Sequence, residues 1–193
     1  MNPESAPIEL QPILTRFGND VTLLIQSLQN GMITSEAWYT EMRRLLARYH
    51  IQAMQIGTGL QQLPEGAIDL LQKSLDFQDE YLDNFRMVIQ ATPDFNPAWV
   101  ARALMYVGSI KVPYWEGRIY QEVGRFLPLP AMPAQGTQCM NNCGCTWEVR
   151  TLDADNGDYD AFWRRNLDDS CQTCIERESM WNPVQIRGGM LKI

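Results

Sequence analysis

Apolar residues recur at helical spacing through the first two thirds of the chain. Trp38, Met42, Leu45, Leu46, Tyr49 and Ala53 fall three and four apart, which places them on one face of a helix. Thr34 or Ser35 caps its start, and Gly57-Thr58-Gly59 is read as its break. Ile68, Leu71, Leu75, Leu82, Phe85 and Ile89 predict a further helix, opening near Pro64 and stopping before Pro93. Ahead of both, Gly18-Asn19-Asp20 is read as the cap of a short helix that runs to about Leu28 and ends at Asn30-Gly31. Asn96-Pro97 opens a fourth helix carrying Val100, Leu104 and Val107 toward Tyr120 and Phe126, with Pro113 expected to kink or split it.

The pattern changes after residue 126. Leu127 to Pro133 holds three prolines, which bar a helix and favour an extended linker. Beyond it, Thr146-Trp147-Glu148-Val149-Arg150 alternates as a strand does. Asp153 to Asp158 reads as a turn, and Tyr159 to Trp163 as the returning strand of a hairpin. Cys171 to Trp181 predicts a short helix, and Val184 to Arg187 a terminal strand. The expected fold is therefore mainly α: a helical domain over 1–126, a Pro-rich linker over 127–137, and a small α+β module with a β-hairpin over 138–193.

Composition narrows the function. The chain has 193 residues, 45% of them hydrophobic, and a net charge of -7. That supports a packed core, and it argues against a general nucleic-acid binder or attachment to an anionic membrane surface. No apolar run reaches the length of a membrane span, and Met1-Asn2-Pro3-Glu4 does not open a signal peptide. A cytoplasmic location follows as the expectation.

All five cysteines fall in the last third: Cys139, Cys143, Cys145, Cys171 and Cys174. Two clusters flanking a hairpin are how structural zinc sites are built, each cluster supplying a pair of thiolates. Four thiolates close the site, so the zinc would fold the module and leave no position for a substrate water. Cys171 and Cys174 have the two-residue gap of a zinc knuckle. Among the other three one is spare, and Cys139 with either Cys143 or Cys145 is the expected pair, because chelation by both Cys143 and Cys145 demands an awkwardly short loop. Unmetallated buried thiols, disulfides and an iron–sulfur cluster are the competing readings.

Other candidates are weaker. His50 is the single histidine, which excludes a two-histidine zinc site, and no nucleophile elbow accompanies it. Asp76 to Tyr81 reads as a solvated helix face. Asp153, Asp155 and Asp158 resemble part of a calcium loop, but Arg164 occupies the closing position. Trp99, Tyr106, Tyr114, Trp115 and Tyr120 crowd one helical segment, as core or as a docking interface.

The stretches Leu127-Pro128-Leu129-Pro130, Gln138 to Glu148, Asp169 to Cys174 and Trp181 to Gly189 resemble a family of small tailed-phage and prophage proteins. Gln78 to Phe85, Ala101-Arg102-Ala103 and Tyr106 are also similar to it. The resemblance covers about residues 65–190 and implies a minor head or head-morphogenesis protein. Asn142-Cys143-Gly144-Cys145 is loosely similar to the Asn-Cys-Arg-Cys motif of Mu F-type minor head proteins, with glycine in place of arginine. The family implies a non-enzymatic virion component that meets portal, capsid or head-completion proteins within a multi-subunit assembly. It would be made in the host cytoplasm, with at most local contact to packaged DNA through Arg164 and Arg165. A zinc-dependent regulator or adaptor binding nucleic acid or protein is the alternative.

Overall fold

A computed structural model describes residues 7–92, 94–138, 143–168 and 170–192. Five helices come first: α1 (Gln11–Gln29), α2 (Ser35–Thr58), α3 (Ala67–Ala91), α4 (Ala98–Met105) and α5 (Lys111–Val123), with a 3-10 turn over Tyr106–Ile110. After them come strands β1 (Thr146–Asp153) and β2 (Asp158–Arg164), helix α6 (Gln172–Met180), and strands β3 (Val184–Arg187) and β4 (Met190–Lys192). The fold is mainly helical, followed by a four-stranded antiparallel sheet in the order β1-β2-β3-β4.

The helical core is made by the stripes. Trp38, Met42, Leu46 and Tyr49 of α2 meet Leu82, Phe85 and Ile89 of α3. α1 closes it with Ile13, Leu14, Phe17, Val21 and Ile25, so this helix starts earlier than Gly18. Pro12 lies in its first turn, where a missing N–H costs nothing, and Gly18 to Asp20 sit mid-helix. Asp20 there accepts from Tyr49 Oη and from Arg48. Thr34 caps α2 by accepting from Ala37 N–H at 3.2 Å, and Asn96 Oδ1 accepts from Ala98 N–H at 2.9 Å at the start of α4. Ile68 departs from its stripe, at 72% exposed.

Gly57 does not break α2. The helix runs on to Thr58 and ends at Gly59 in the left-handed conformation. The helix opened by Asn96-Pro97 is split into α4, the 3-10 turn and α5, one of the two outcomes expected of Pro113. The interruption lies upstream, at the 3-10 turn, and Pro113 falls in the first turn of α5.

The segment 127–137 contains neither helix nor strand, as its prolines require, yet Leu127, Ala131, Met132 and Thr137 are buried. It is packed onto α5 and the sheet rather than spanning solvent. The second core joins Ile119 of α5, Leu127 and Met132 to Trp147, Val149, Tyr159, Ala161, Trp163, Val184 and Ile186. Cross-strand register pairs Trp147 with Trp163 and Tyr159 with Ile186. β4 is an addition to the expected strands. Gly188 and Gly189, both at positive φ, make the two-residue turn that returns it along β3.

Trp99, Tyr106 and Tyr114 are buried in the helical core, whereas Trp115 and Tyr120 are half-buried, so most of the aromatic segment is core. Asp153 caps its own turn, accepting from the amides of Asp155 and Asn156 at 3.1 Å each. The acidic Asp153–Asp158 stretch is thus a hairpin turn.

Candidate metal centre

Burial alternates from Cys143 onward: Cys143, Cys145, Trp147 and Val149 are buried, and the residues between them are more exposed. An extended chain points every second side chain to one face. The Cys-Gly-Cys segment therefore delivers both thiols to the same side without any chelate loop. The expectation that only one of Cys143 and Cys145 joins the cluster is corrected by this geometry. Cys139, its expected partner, lies outside the described residues.

The second arm is α6. Cys171 is its N-cap residue in extended conformation, and Cys174 N–H donates back to Cys171 O at 3.0 Å. One helical turn thus folds both sulfurs to the same end, where the positive pole of the helix favours thiolate. The Sγ atoms of Cys143, Cys145 and Cys174 all lie within 4.8 Å of one another. Cys143 Sγ is 3.9 Å from Cys174 Sγ, and Cys171 Sγ is 3.6 Å from Cys174 Sγ. A disulfide needs sulfurs about 2.05 Å apart, so neither pair is disulfide-bonded. Tetrahedral thiolates at 2.3 Å from a metal stand about 3.8 Å apart. Both separations lie close to that edge. Three buried cysteines can hold a metal ion, and Cys171, half-buried, stands beside them.

The electrostatics agree. The Cys145 thiol hydrogen-bonds Cys143, and with burial this pushes the Cys143 thiol well above its ordinary value. Neighbouring sulfurs in a dry site ionise together only with a cation between them. Backbone amides of Cys145 and Ala134 act in the other direction and favour the Cys143 thiolate. Ala134 is the one described non-glycine residue at positive φ, 71°, in the turn that faces Cys143.

The same core holds a tryptophan cluster. Trp147 and Trp163 meet edge-on at 5.2 Å, and Trp181 stacks on Trp147 at 5.8 Å. Trp147 Nε1 donates to Ala131 O at 2.9 Å, tying the Pro-rich segment to the sheet. Lys111, missed from the sequence, is 2% exposed and donates from Nζ to Cys143 O at 3.4 Å. Its signal was a single charge inside the apolar run Val107 to Trp115.

The remaining polar groups do other things. His50 is buried, with Nε2 2.8 Å from Ser109 Oγ and Nδ1 3.3 Å from Ser74 Oγ. Ser109 Oγ donates to Tyr106 O, so it accepts from Nε2–H, and Ser74 donates to Nδ1. Burial pushes His50 down to about 3, which makes it a poor general base at neutral pH. A cleft of about 490 Å³ lies between α3, α5 and the Pro-rich segment. Glu116 lines it, with Oε2 buried and without a hydrogen-bond partner, and burial raises its carboxyl to about 7. Arg164 pairs with Glu148 at 2.7 Å and Arg165 with Glu178 at 2.6 Å, so both expected DNA-contacting cations face carboxylates.

No helix among the described residues is long and apolar enough to cross a membrane. Compared with known proteins, the chain matches no family model, no curated protein and no solved structure.

Proposed function

We propose that this chain is a non-enzymatic structural component of a tailed-phage head, with a structural zinc ion holding its C-terminal module. The observation that carries the reading is the thiolate cluster itself. Cys143, Cys145 and Cys174 are each at most 2% exposed, in the centre of the module's core. A metal held there by these three and Cys171 has no open position for substrate, so it supplies folding free energy to a small sheet. Zinc fits best, because the donor set is all sulfur at tetrahedral spacing.

The head assignment is supported by the resemblance of the cysteine segments and of Trp181 to Gly189 to minor head proteins. Protein–protein contact is assigned to α3, where Phe77, Tyr81 and Val88 leave large apolar surface exposed along one side. Portal, capsid or head-completion proteins are the partners proposed. DNA contact is left out of the proposal, since Arg164 and Arg165 each already pair with a carboxylate.

Quantitative mass spectrometry of purified particles, with copy number referenced to portal protein, tests the assignment. A fixed ratio to portal supports it. Absence from particles, with a salt-sensitive gel shift on DNA, overturns it in favour of a zinc-dependent regulator.

A further inference from the structure

Lys111 is a buried cation at the seam between the helical core and the thiolate cluster. It opens α5, is 2% exposed, and reaches Cys143 O with its ammonium. Burying an ammonium is costly unless an opposite charge is buried with it. Four thiolates around a divalent cation carry two negative charges in excess, and that excess is equally costly to bury. An ammonium held at the Cys143 carbonyl would offset part of that excess. The lysine comes from the helical part, whereas the sulfurs belong to the strand entry and α6. Val112, Trp115 and Ile119 of the same helix pack into the module's core.

We infer that Lys111 is the outer-shell cation of the thiolate centre: it holds the Cys143 carbonyl and offsets the charge of the metal–thiolate complex, so that metal is held tightly only while α5 is seated on the module. The inference rests on the metal reading above. Lys111 touches no metal; it acts as a positioning residue through Cys143.

The test uses full-length wild type, Lys111→Met and Lys111→Gln. Cobalt(II) affinity is read from the sulfur-to-cobalt charge-transfer band, and zinc affinity by competition with a chromophoric chelator. Melting of the metal-free chains is followed in parallel. Both variants are expected to lose at least tenfold in metal affinity, the usual cost of removing an outer-shell partner. Their metal-free forms are expected to melt close to the wild-type temperature, since the role assigned to Lys111 is exerted through the metal complex. Gln keeps a donor for the carbonyl, so a loss in Gln equal to that in Met assigns the effect to charge. Affinities within twofold of wild type overturn the inference while leaving the metal site standing. Lower stability of the metal-free variants with unchanged affinity also overturns it, as a packing role. Wild type that gives no charge-transfer band and retains no zinc overturns the metal reading, and the inference with it.

Discussion

Gly57 of α2 lies flat against Gly117 of α5. A methyl group built at Gly57 would sit 2.2 Å from Tyr114 O and 3.0 Å from Gly117 Cα. One built at Gly117 would sit 2.8 Å from Met54 O. Every blocking atom is backbone, so no side chain can swing away. The two helices cross at backbone contact, and this crossing brings α5, with Lys111 at its start, into place between the helical core and the sheet.

Gly57→Ala is therefore expected to destabilise the chain by about 3 kcal/mol or more, well above the usual cost of a surface glycine-to-alanine change. Chemical denaturation measures it. A loss under about 1 kcal/mol would mean that the crossing is looser than described.

Ala134 presents its amide to Cys143 from the left-handed region, which costs a residue with a Cβ about 1 kcal/mol. Ala134→Gly is expected to raise stability by up to about that amount, with metal content unchanged. A lower melting temperature would contradict the assigned backbone.

Glu116 is a carboxyl raised by burial, so the folded state favours its protonated form. The stability it contributes is full below the unfolded value of 4.5 and is lost as pH rises through about 7. Glu116→Gln is expected to match wild type near pH 4.5 and to exceed it by roughly 1–3 kcal/mol above pH 7. Stability curves of the two chains against pH, subtracted, check the window.

His50 works in the opposite direction. Burial lowers it from 6.5 to about 3, so its contribution is present above pH 6.5 and is lost as pH falls toward 3. His50→Gln is expected to flatten the acid limb of the stability curve by up to about 1.4 kcal/mol per pH unit. An unchanged slope would place the ring in contact with water.

The sequence was most legible where a periodic stripe coincided with a cap. Trp38 to Ala53 with Thr34, and the alternation from Thr146, read correctly because local spacing and burial agree. It was least legible where distant parts meet. Gly57 looked like a helix break, since a glycine needed for close approach and one that ends a helix have the same local signature. The aromatic run from Trp99 to Tyr120 has the same spacing whether it is surface or core, and it is α1 and α2, distant in sequence, that bury Trp99, Tyr106 and Tyr114. The cysteine grouping was readable from spacing, but the pairing was not. Cys143 and Cys145 join one cluster because alternate positions there share the buried side. Lys111 carried no motif, and its position beside Cys143 depends on how α5 meets the module.

The measurement closest to the central claim is the metal content of the full-length chain, purified reduced and without added metal, beside Cys174→Ser. The account predicts about one zinc per chain in wild type and loss of it in the variant, with the tryptophan near-UV signal of the module lost and most of the helical signal kept. The helical core supports that last expectation, since it contains no cysteine. Less than about half an equivalent of any metal in wild type, or an unchanged content in Cys174→Ser, would contradict the thiolate centre.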